Sequence, residues 1–332
     1  MSMKSTLTAV LLTTVAGNPA FAENAKVVFG TNWLAQAEHG GFYQSVADGT
    51  YAACGLDVEI ISGGPQVNNR ALMLAGKIDY HMGGDLLQAF NAVKEGIPVV
   101  AVAATFQKHP QVLVAHPDVE SWEGLKDRTL LIGDNGFTSY YQWMIAEHGF
   151  TVEQRQPYTF NPAPFLADTS VAMQGYLSSE PYLVEKEGGF VPNVFLIADN
   201  GFSSYATTIE TMQATIDEKP EQVKCFVEGS IKGWYNYLYG DNAGANALIQ
   251  EANPDMTEDK IAYAIGKMKE WGIVDSGDAL EAGIGVMTDE VVNDFYAKMV
   301  NAGVIEEGLD VSAAYTLEFV GEGVGMELKP SN

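Results

Sequence analysis

Basic residues are scarce: 18 Lys and Arg stand against 43 Asp and Glu, a formal net charge of -25. A field of that sign repels nucleic acid and anionic membrane surfaces, so no nucleic-acid partner is expected. The acidity has two readings, solubility and the steering of a charged ligand, and screening beyond about 10 Å at moderate salt weakens the second. Cysteine is nearly absent. Cys54 and Cys225 lie in no CxxC pair and no Cys/His cluster, which removes the support for a structural zinc or a dithiol redox centre. A single disulfide between them stays open, because sequence does not tell whether their Cα atoms approach. Beyond the N-terminal segment there is no run of the ~20 apolar residues that a bilayer-spanning helix needs. Enzyme signatures are missing as well: no GxSxG elbow, no HExxH, no GxxxxGK(S/T) loop and no GxGxxG opening a βαβ unit. His39, His81, His109, His116 and His148 are scattered without metal-ligand spacing. No cofactor, no metal and no enzymatic activity is expected.

What is present begins with an export signal. Lys4 precedes a short apolar stretch from Leu7 to Ala16, and Ala20-Phe21-Ala22 has the small-x-small form of a cleavage site. Residues 1–22 therefore read as a signal peptide cleaved after Ala22, and the mature chain as secreted and soluble. No Cys follows the cleavage site, which argues against a lipid anchor.

With 47% hydrophobic, 11% aromatic and 18% charged residues the remainder is globular in composition and long enough for about two domains. Strand-like and helix-like segments alternate, which predicts an α/β fold with mostly parallel sheets. Strands are expected at Lys26 to Gly30, Asp57 to Ile61, Ile78 to Met82 and Pro98 to Thr105, with helices at His39 to Tyr51, Pro65 to Ala75 and Asp85 to Lys94. A second unit starts near Val112. It holds a short helix capped by Ser121, a strand from Thr129 to Ile132, a helix from Ser139 to His148, and strand-like pieces at Tyr158 to Phe160, Ala172 to Leu177 and Val194 to Ala198. Past Tyr205 the pattern becomes long amphipathic helices: Pro220 to Tyr239, Asn242 to Ala252, Glu258 to Trp271 and Thr288 to Ala302.

This order predicts two αβ lobes, the first completed by a mainly helical return: residues 23–110, then 111–207 for the second lobe, then 208–332. Ligands of open α/β sheets bind beyond the carboxyl ends of strands, so the loops after strands are the candidates. After the first strand, Asn32, Trp33, Gln36 and His39 combine a stacking ring, amides and an imidazole at a helix start. Gly63-Gly64-Pro65-Gln66 follows the second strand, offering close backbone approach and the Gln66 amide, though a plain βα turn reads the same way. Asp85 is either a site residue or a helix N-cap. Phe106 ends the long apolar strand, and Tyr205 stands where the pattern changes to long helices. In the second lobe Phe137 and Thr138 open a helix, and Phe160 and Tyr176 follow strands. Glu180 precedes Pro181 and is either a cap or an acceptor for ligand N–H groups.

The runs Asn32-Trp33 to His39-Gly40-Gly41-Phe42-Tyr43, Gly63 to Gln66, Ala101 to Gln107 and Tyr176 to Pro181 resemble the nitrate/sulfonate/taurine and thiamine-pyrimidine-precursor type of ABC-importer substrate-binding proteins. The resemblance implies a type II periplasmic binding fold, an interlobe ligand cleft, crossings near Phe106 to Val112 and Tyr205 to Thr211, and a monomer serving a membrane permease. It also implies that Trp33 and a facing aromatic sandwich a flat ring whose edge is read by Glu180 with Asn32 or Gln66. Related fungal pyrimidine synthases carry a cysteine-rich iron-binding run that this chain lacks. The candidate loops hold carboxylates and no Arg or Lys, which favours a pyrimidine-like nitrogen compound over a sulfonate or nitrate anion or a cationic amine. A secreted enzyme on the same fold is the remaining alternative.

Overall fold

The computed structural model describes residues 24–64 and 67–330. The signal-peptide segment and Gln66 lie outside the described residues.

Among the described residues, ten strands form two sheets. The first contains β1 (Ala25–Gly30), β2 (Leu56–Ile61), β3 (Tyr80–Met82), β4 (Val99–Phe106) and β10 (Ala206–Met212), in the spatial order β2-β1-β3-β10-β4. The second contains β5 (Gln111–Ala115), β6 (Thr129–Ile132), β7 (Arg155–Pro157), β8 (Val171–Tyr176) and β9 (Asn193–Leu196), in the order β7-β6-β8-β5-β9. The helices that concern the site and the return are α1 (Gly40–Ala47), α2 (Asn69–Leu74), α3 (Leu86–Lys94), α4 (Tyr140–His148), α5 (Glu180–Leu183), α6 (Pro220–Tyr239), α7 (Ala243–Ala252), α8 (Glu258–Glu270) and α9 (Asp289–Asn301).

The sheets are mixed, which corrects the expectation of mostly parallel pairing. β1 pairs parallel with β2 and β3, and β6 parallel with β7 and β8. The strand that arrives from the other lobe is antiparallel to both its neighbours: β10 between β3 and β4, and β5 between β8 and β9. The reason is directional. A chain crossing the cleft enters each sheet at the edge where the other strands end, so it runs the opposite way. β10 was not expected from sequence, where only helix was read past Tyr205.

Local chemistry explains most element ends. Asp85 caps α3, its carboxylate accepting from Gln88 N at 2.9 Å, and Gly149 closes α4 at φ 73, a conformation that glycine adopts without strain. Ser121 accepts from Gly124 N at 3.2 Å over a short 3₁₀ turn, Glu123–Asp127. The helix expected over His39 to Tyr51 is divided, because Gly49 sits at φ 77 between α1 and a single turn, Thr50–Ala53. That expected from Pro65 begins only at Asn69, where Asn68 accepts from Ala71 N at 3.0 Å. The strand expected at Tyr158 to Phe160 ends at Pro157, and Phe160 has φ 61.

The return docks on the first lobe through α6 against α1. Phe226 is fully buried and stacks on Tyr80, ring centroids 4.2 Å apart, and on Tyr51 at 5.2 Å. Burying one such side chain contributes about 1.5–3 kcal/mol. The two helices cross closely because glycines face each other's neighbours. A Cβ at Gly233 would overlap Ser45 and the Gly41 carbonyl, and one at Gly41 would overlap Trp234. A disulfide between Cys54 and Cys225, Cα atoms 6.0 Å apart, ties α6 to the segment after α1. Among the described residues no helix is long and apolar enough to cross a membrane.

Candidate functional site

A cavity of about 760 Å³ lies between the lobes, lined at the ends of β1, β3 and β8 and at the starts of β5 and β10. That is within the ordinary range for a small-molecule site. Both lobes contribute to it, and they touch across it. The Trp33 ring of the first lobe meets Phe160 of the second, centroids 4.9 Å apart and inclined at 50°. Ser178 donates its hydroxyl hydrogen to Glu38 Oε1, and Ser139 donates to Asp85 Oδ2 at 3.0 Å. Among the described residues, the two non-glycine residues with positive φ are Phe160 and Thr207, at 61° and 51°. Both line this cavity. Backbone strain of that kind persists where the surrounding structure holds it, and such positions cluster at ligand sites.

The electrostatics are acidic. Burial pushes the Glu38 carboxyl above its usual range, against the pull of the Ser178 hydroxyl. Burial also raises Glu180, to about 7, although Tyr176 N donates to its Oε2 at 2.6 Å. Burial would lift Asp85 too, but hydrogen bonds and charge from His109, the Gln88 N–H and the Ser139 hydroxyl outweigh it and hold this carboxyl below the usual range. His39 is pushed down to about 3 by burial and is a neutral ring. His81 is lowered by burial as well. The one guanidinium at the cavity, Arg70, is already paired: its Nη2 lies 2.7 Å from Glu210 Oε2, and that carboxylate is fully buried. Four buried polar atoms on the cavity wall have no partner: Glu38 Oε2, His39 Nδ1, Asn69 Oδ1 and His81 Nδ1.

The structure brings most of the sequence candidates together. Asn32, Trp33, Gln36 and His39 line the cavity from the loop after β1, and Asp85 from the loop after β3. Phe160, Tyr176 and Glu180 line it from the second lobe. Asp85 is both things the sequence allowed, a helix cap through Oδ1 and a cavity residue. Glu180 is not the cap of α5: Ser179 holds that position and Glu180 is the first helical residue. Others fall elsewhere. Phe106 is fully buried against Trp234, and Tyr205 is buried in the core beside β4 and α9. Phe137 turns to Tyr141 and the Arg155 guanidinium, and Thr138 is exposed with its hydroxyl on Asp134 O and Asn135 O.

Sequence reading missed Glu38, Asn69, Arg70 and His81. Glu38 stood inside the Gln36 to His39 run and could have been included. Arg70 stands on α2, outside the candidate loops that hold no Arg or Lys, and adds a basic residue to the cavity lining. The Gly40-Gly41 pair of the motif serves the α1–α6 crossing, where Cβ atoms would strike Tyr237 and Trp234. Asp85 stands between Ser139 and His109, whose Nε2 is 3.6 Å from it. The Ser139 hydroxyl hydrogen thus goes to the carboxylate rather than to the imidazole, which differs from the serine–histidine–aspartate order of a nucleophile relay.

With this geometry established, comparison with known proteins assigns the family. The NMT1/THI5-like family matches residues 36–241, more than half of the chain. The chain belongs to that family. Among curated proteins, this NMT1/THI5-like chain is 25% identical over 323 residues to the riboflavin-binding protein RibY of Chloroflexus aurantiacus, covering 89% of this chain and 86% of the relative. Among solved structures it resembles the alkanesulfonate-binding protein SsuA of Xanthomonas axonopodis pv. citri bound to MOPS, with TM-score 0.62, 12% identity and coverage of 89% and 99%. The desulfurization enzyme DSZB shares the fold at TM-score 0.55 and 11% identity, covering 92% of this chain and 100% of that one. The fold is that of the periplasmic binding proteins: two αβ lobes, an interlobe cleft and a helical return.

Proposed function

We propose that this chain is the periplasmic capture component of an ABC importer, binding a small flat nitrogen heterocycle of pyrimidine-like chemistry in the interlobe cleft and releasing it unchanged. The observation that carries the reading is the Trp33–Phe160 pair, contributed by opposite lobes above a set of carboxylates. When the lobes part, a flat ring slots between the two side chains and gains a stacking partner on each face. Its edge N–H groups then meet Glu38, Asp85 and Glu180, whose carboxylate forms only accept hydrogen bonds. An anionic solute would face those carboxylates with Arg70 already neutralised by Glu210, a costly desolvated arrangement. Sulfonate or nitrate capture therefore ranks behind.

Kinship with a riboflavin-binding protein supports the same chemistry, since riboflavin is a flat heterocycle with a pyrimidine-dione edge. The Ser139–Asp85–His109 order supports capture over catalysis.

The test is a thermal-shift screen of mature protein against pyrimidines, flavins, amines, sulfonates and inorganic anions, followed by mass spectrometry of the recovered compound. A solute at 100 times its Kd adds about 2.7 kcal/mol to the native state, enough for a shift of several degrees. A shift with a nitrogen heterocycle recovered at unchanged mass is expected. A shift with sulfonates alone overturns the ligand, and a new product mass overturns capture.

A further inference from the structure

The cavity does not stop at the ring pair. It continues into the first lobe as an arm between α2 and α3, lined by Asn69, Arg70 and Ala71 on one side and Gln88 on the other, and it reaches the surface at Leu74 and Glu95. We propose that this arm is a second compartment of the site and that it holds a neutral polyhydroxylated chain carried by the ring, so that the solute class is a heterocycle with a sugar-alcohol or sugar-like tail rather than a bare base. The inference rests on the ring reading above and extends it.

Three observations carry it. First, two of the orphaned buried atoms are on this side. Asn69 is 3% exposed, one of its two amide hydrogens goes to Thr31 O at 2.5 Å, and its Oδ1, an acceptor, has no partner. His81 is 7% exposed, and its Nδ1 lacks a partner. Second, Arg70 supplies donors without net charge. Its Nε and Nη2 hold both oxygens of Glu210 and its Nη1 holds Gln88 O at 3.2 Å, which leaves one Nη1–H uncommitted while the buried Glu210 cancels the charge. Third, the Gln88 side chain adds an amide that both donates and accepts. An acceptor, a charge-compensated donor and an amide in sequence match hydroxyl groups, each of which donates and accepts. A phosphate would find the Arg70 charge already cancelled by Glu210, and Glu95 of like charge on the cavity wall.

Ala71 allows a clean test. It is an exposed residue of α2 on the wall of the arm, away from the ring pair, so Ala71→Trp fills the arm from outside the core. The probes are lumichrome (the ring system without a chain), riboflavin (the same class of ring with a polyhydroxylated chain) and flavin mononucleotide (the chain ending in phosphate), each titrated by calorimetry into wild type, Ala71→Trp and Gln88→Leu. The expected result is riboflavin binding at least tenfold tighter than lumichrome in wild type, that advantage collapsing in Ala71→Trp and shrinking in Gln88→Leu, lumichrome unchanged throughout, and flavin mononucleotide weaker than riboflavin. An advantage that survives Ala71→Trp overturns the arm, and tighter binding of the phosphate form overturns its neutral chemistry. If lumichrome and the pyrimidines fail to bind wild type, the ring reading has failed by itself. The arm is then judged by a thermal-shift panel of nucleosides, glycosides and sugar alcohols on wild type and Ala71→Trp, and a panel that does not separate the two proteins overturns it.

Discussion

Ser178 in the second lobe gives its hydroxyl hydrogen to Glu38 in the first, and the other oxygen of that carboxylate is buried with no partner. One side chain thus joins the lobes and belongs to the lining of the cavity between them. On the function proposed above, a ligand that donates to this carboxylate also orders the acceptor that Ser178 needs.

Removing the hydroxyl should loosen the closed form without emptying the site. Ser178→Ala is expected to weaken solute binding by about fivefold, from the ~1 kcal/mol of a net hydrogen bond. Small-angle scattering should show the unliganded variant larger than wild type. Unchanged affinity and dimensions would mean that the contact has no part in closure.

Trp33→Ala should weaken binding of a flat heterocycle by about ten- to a hundredfold, the effect of losing one stacking face worth ~1–3 kcal/mol. Melting of the unliganded protein should barely change, because Trp33 is only half-buried. Calorimetric titration checks the first and thermal melting the second.

The pH dependence follows from Glu180. Its folded-state value is raised to about 7 from 4.5, chiefly by burial. A raised value means that the associated stability is fully present below pH ~4.5, is lost as pH rises toward about 7 and is level above that. Glu180→Gln should therefore flatten the decline in stability between pH 4.5 and 7 in chemical denaturation, leaving pH 4.5 nearly unaffected. A ligand donating N–H to Glu180 favours the ionised carboxylate, so binding near pH 7 should release a proton, measurable by calorimetry in buffers of different ionisation enthalpy. The same decline in the variant would refute the assignment.

The disulfide closes a loop of 171 residues and fastens the return helix to the first lobe. The double substitution Cys54→Ser, Cys225→Ser should cost about 2–5 kcal/mol and lower Tm by several degrees, with solute affinity retained. Wild type in strong reductant should move the same way.

Gly233→Ala should destabilise by about 1–3 kcal/mol, because a methyl there enters the space of Ser45 and the Gly41 carbonyl and forces α6 off α1. The exposed Gly266 of α8, where a Cβ meets nothing, is the control: its replacement by Ala should be neutral or stabilising. Denaturant midpoints decide between the two.

Much of this protein was legible in its sequence, for a physical reason. Helix periodicity, caps and turn glycines are local, so α6 spans the predicted Pro220 to Tyr239, and Asp85 and Gly149 mark helix ends as read. Loops after strands gather at one edge of any open α/β sheet, so Trp33, His39, Asp85, Phe160, Tyr176 and Glu180 could be gathered as candidates before their distances were known.

What the tertiary structure alone decided involves partners far apart in the chain. Ala206 to Met212 reads as Ala-Thr-Thr-Ile-Glu-Thr-Met, too polar for a central strand by composition, yet Thr207, Thr208, Glu210 and Thr211 are all buried. They are tolerated because the Arg70 guanidinium, 140 residues earlier, meets Glu210, and because Thr105 donates to Thr207 O at 2.8 Å and Thr211 to Asp79 O at 2.8 Å. Hydrophobic pattern reports burial only where burial is apolar. Where a charge is buried with its counter-charge, the pattern is silent, and the same ion pair that hides β10 from a sequence reading also takes Arg70 out of the count of free cations in the cleft.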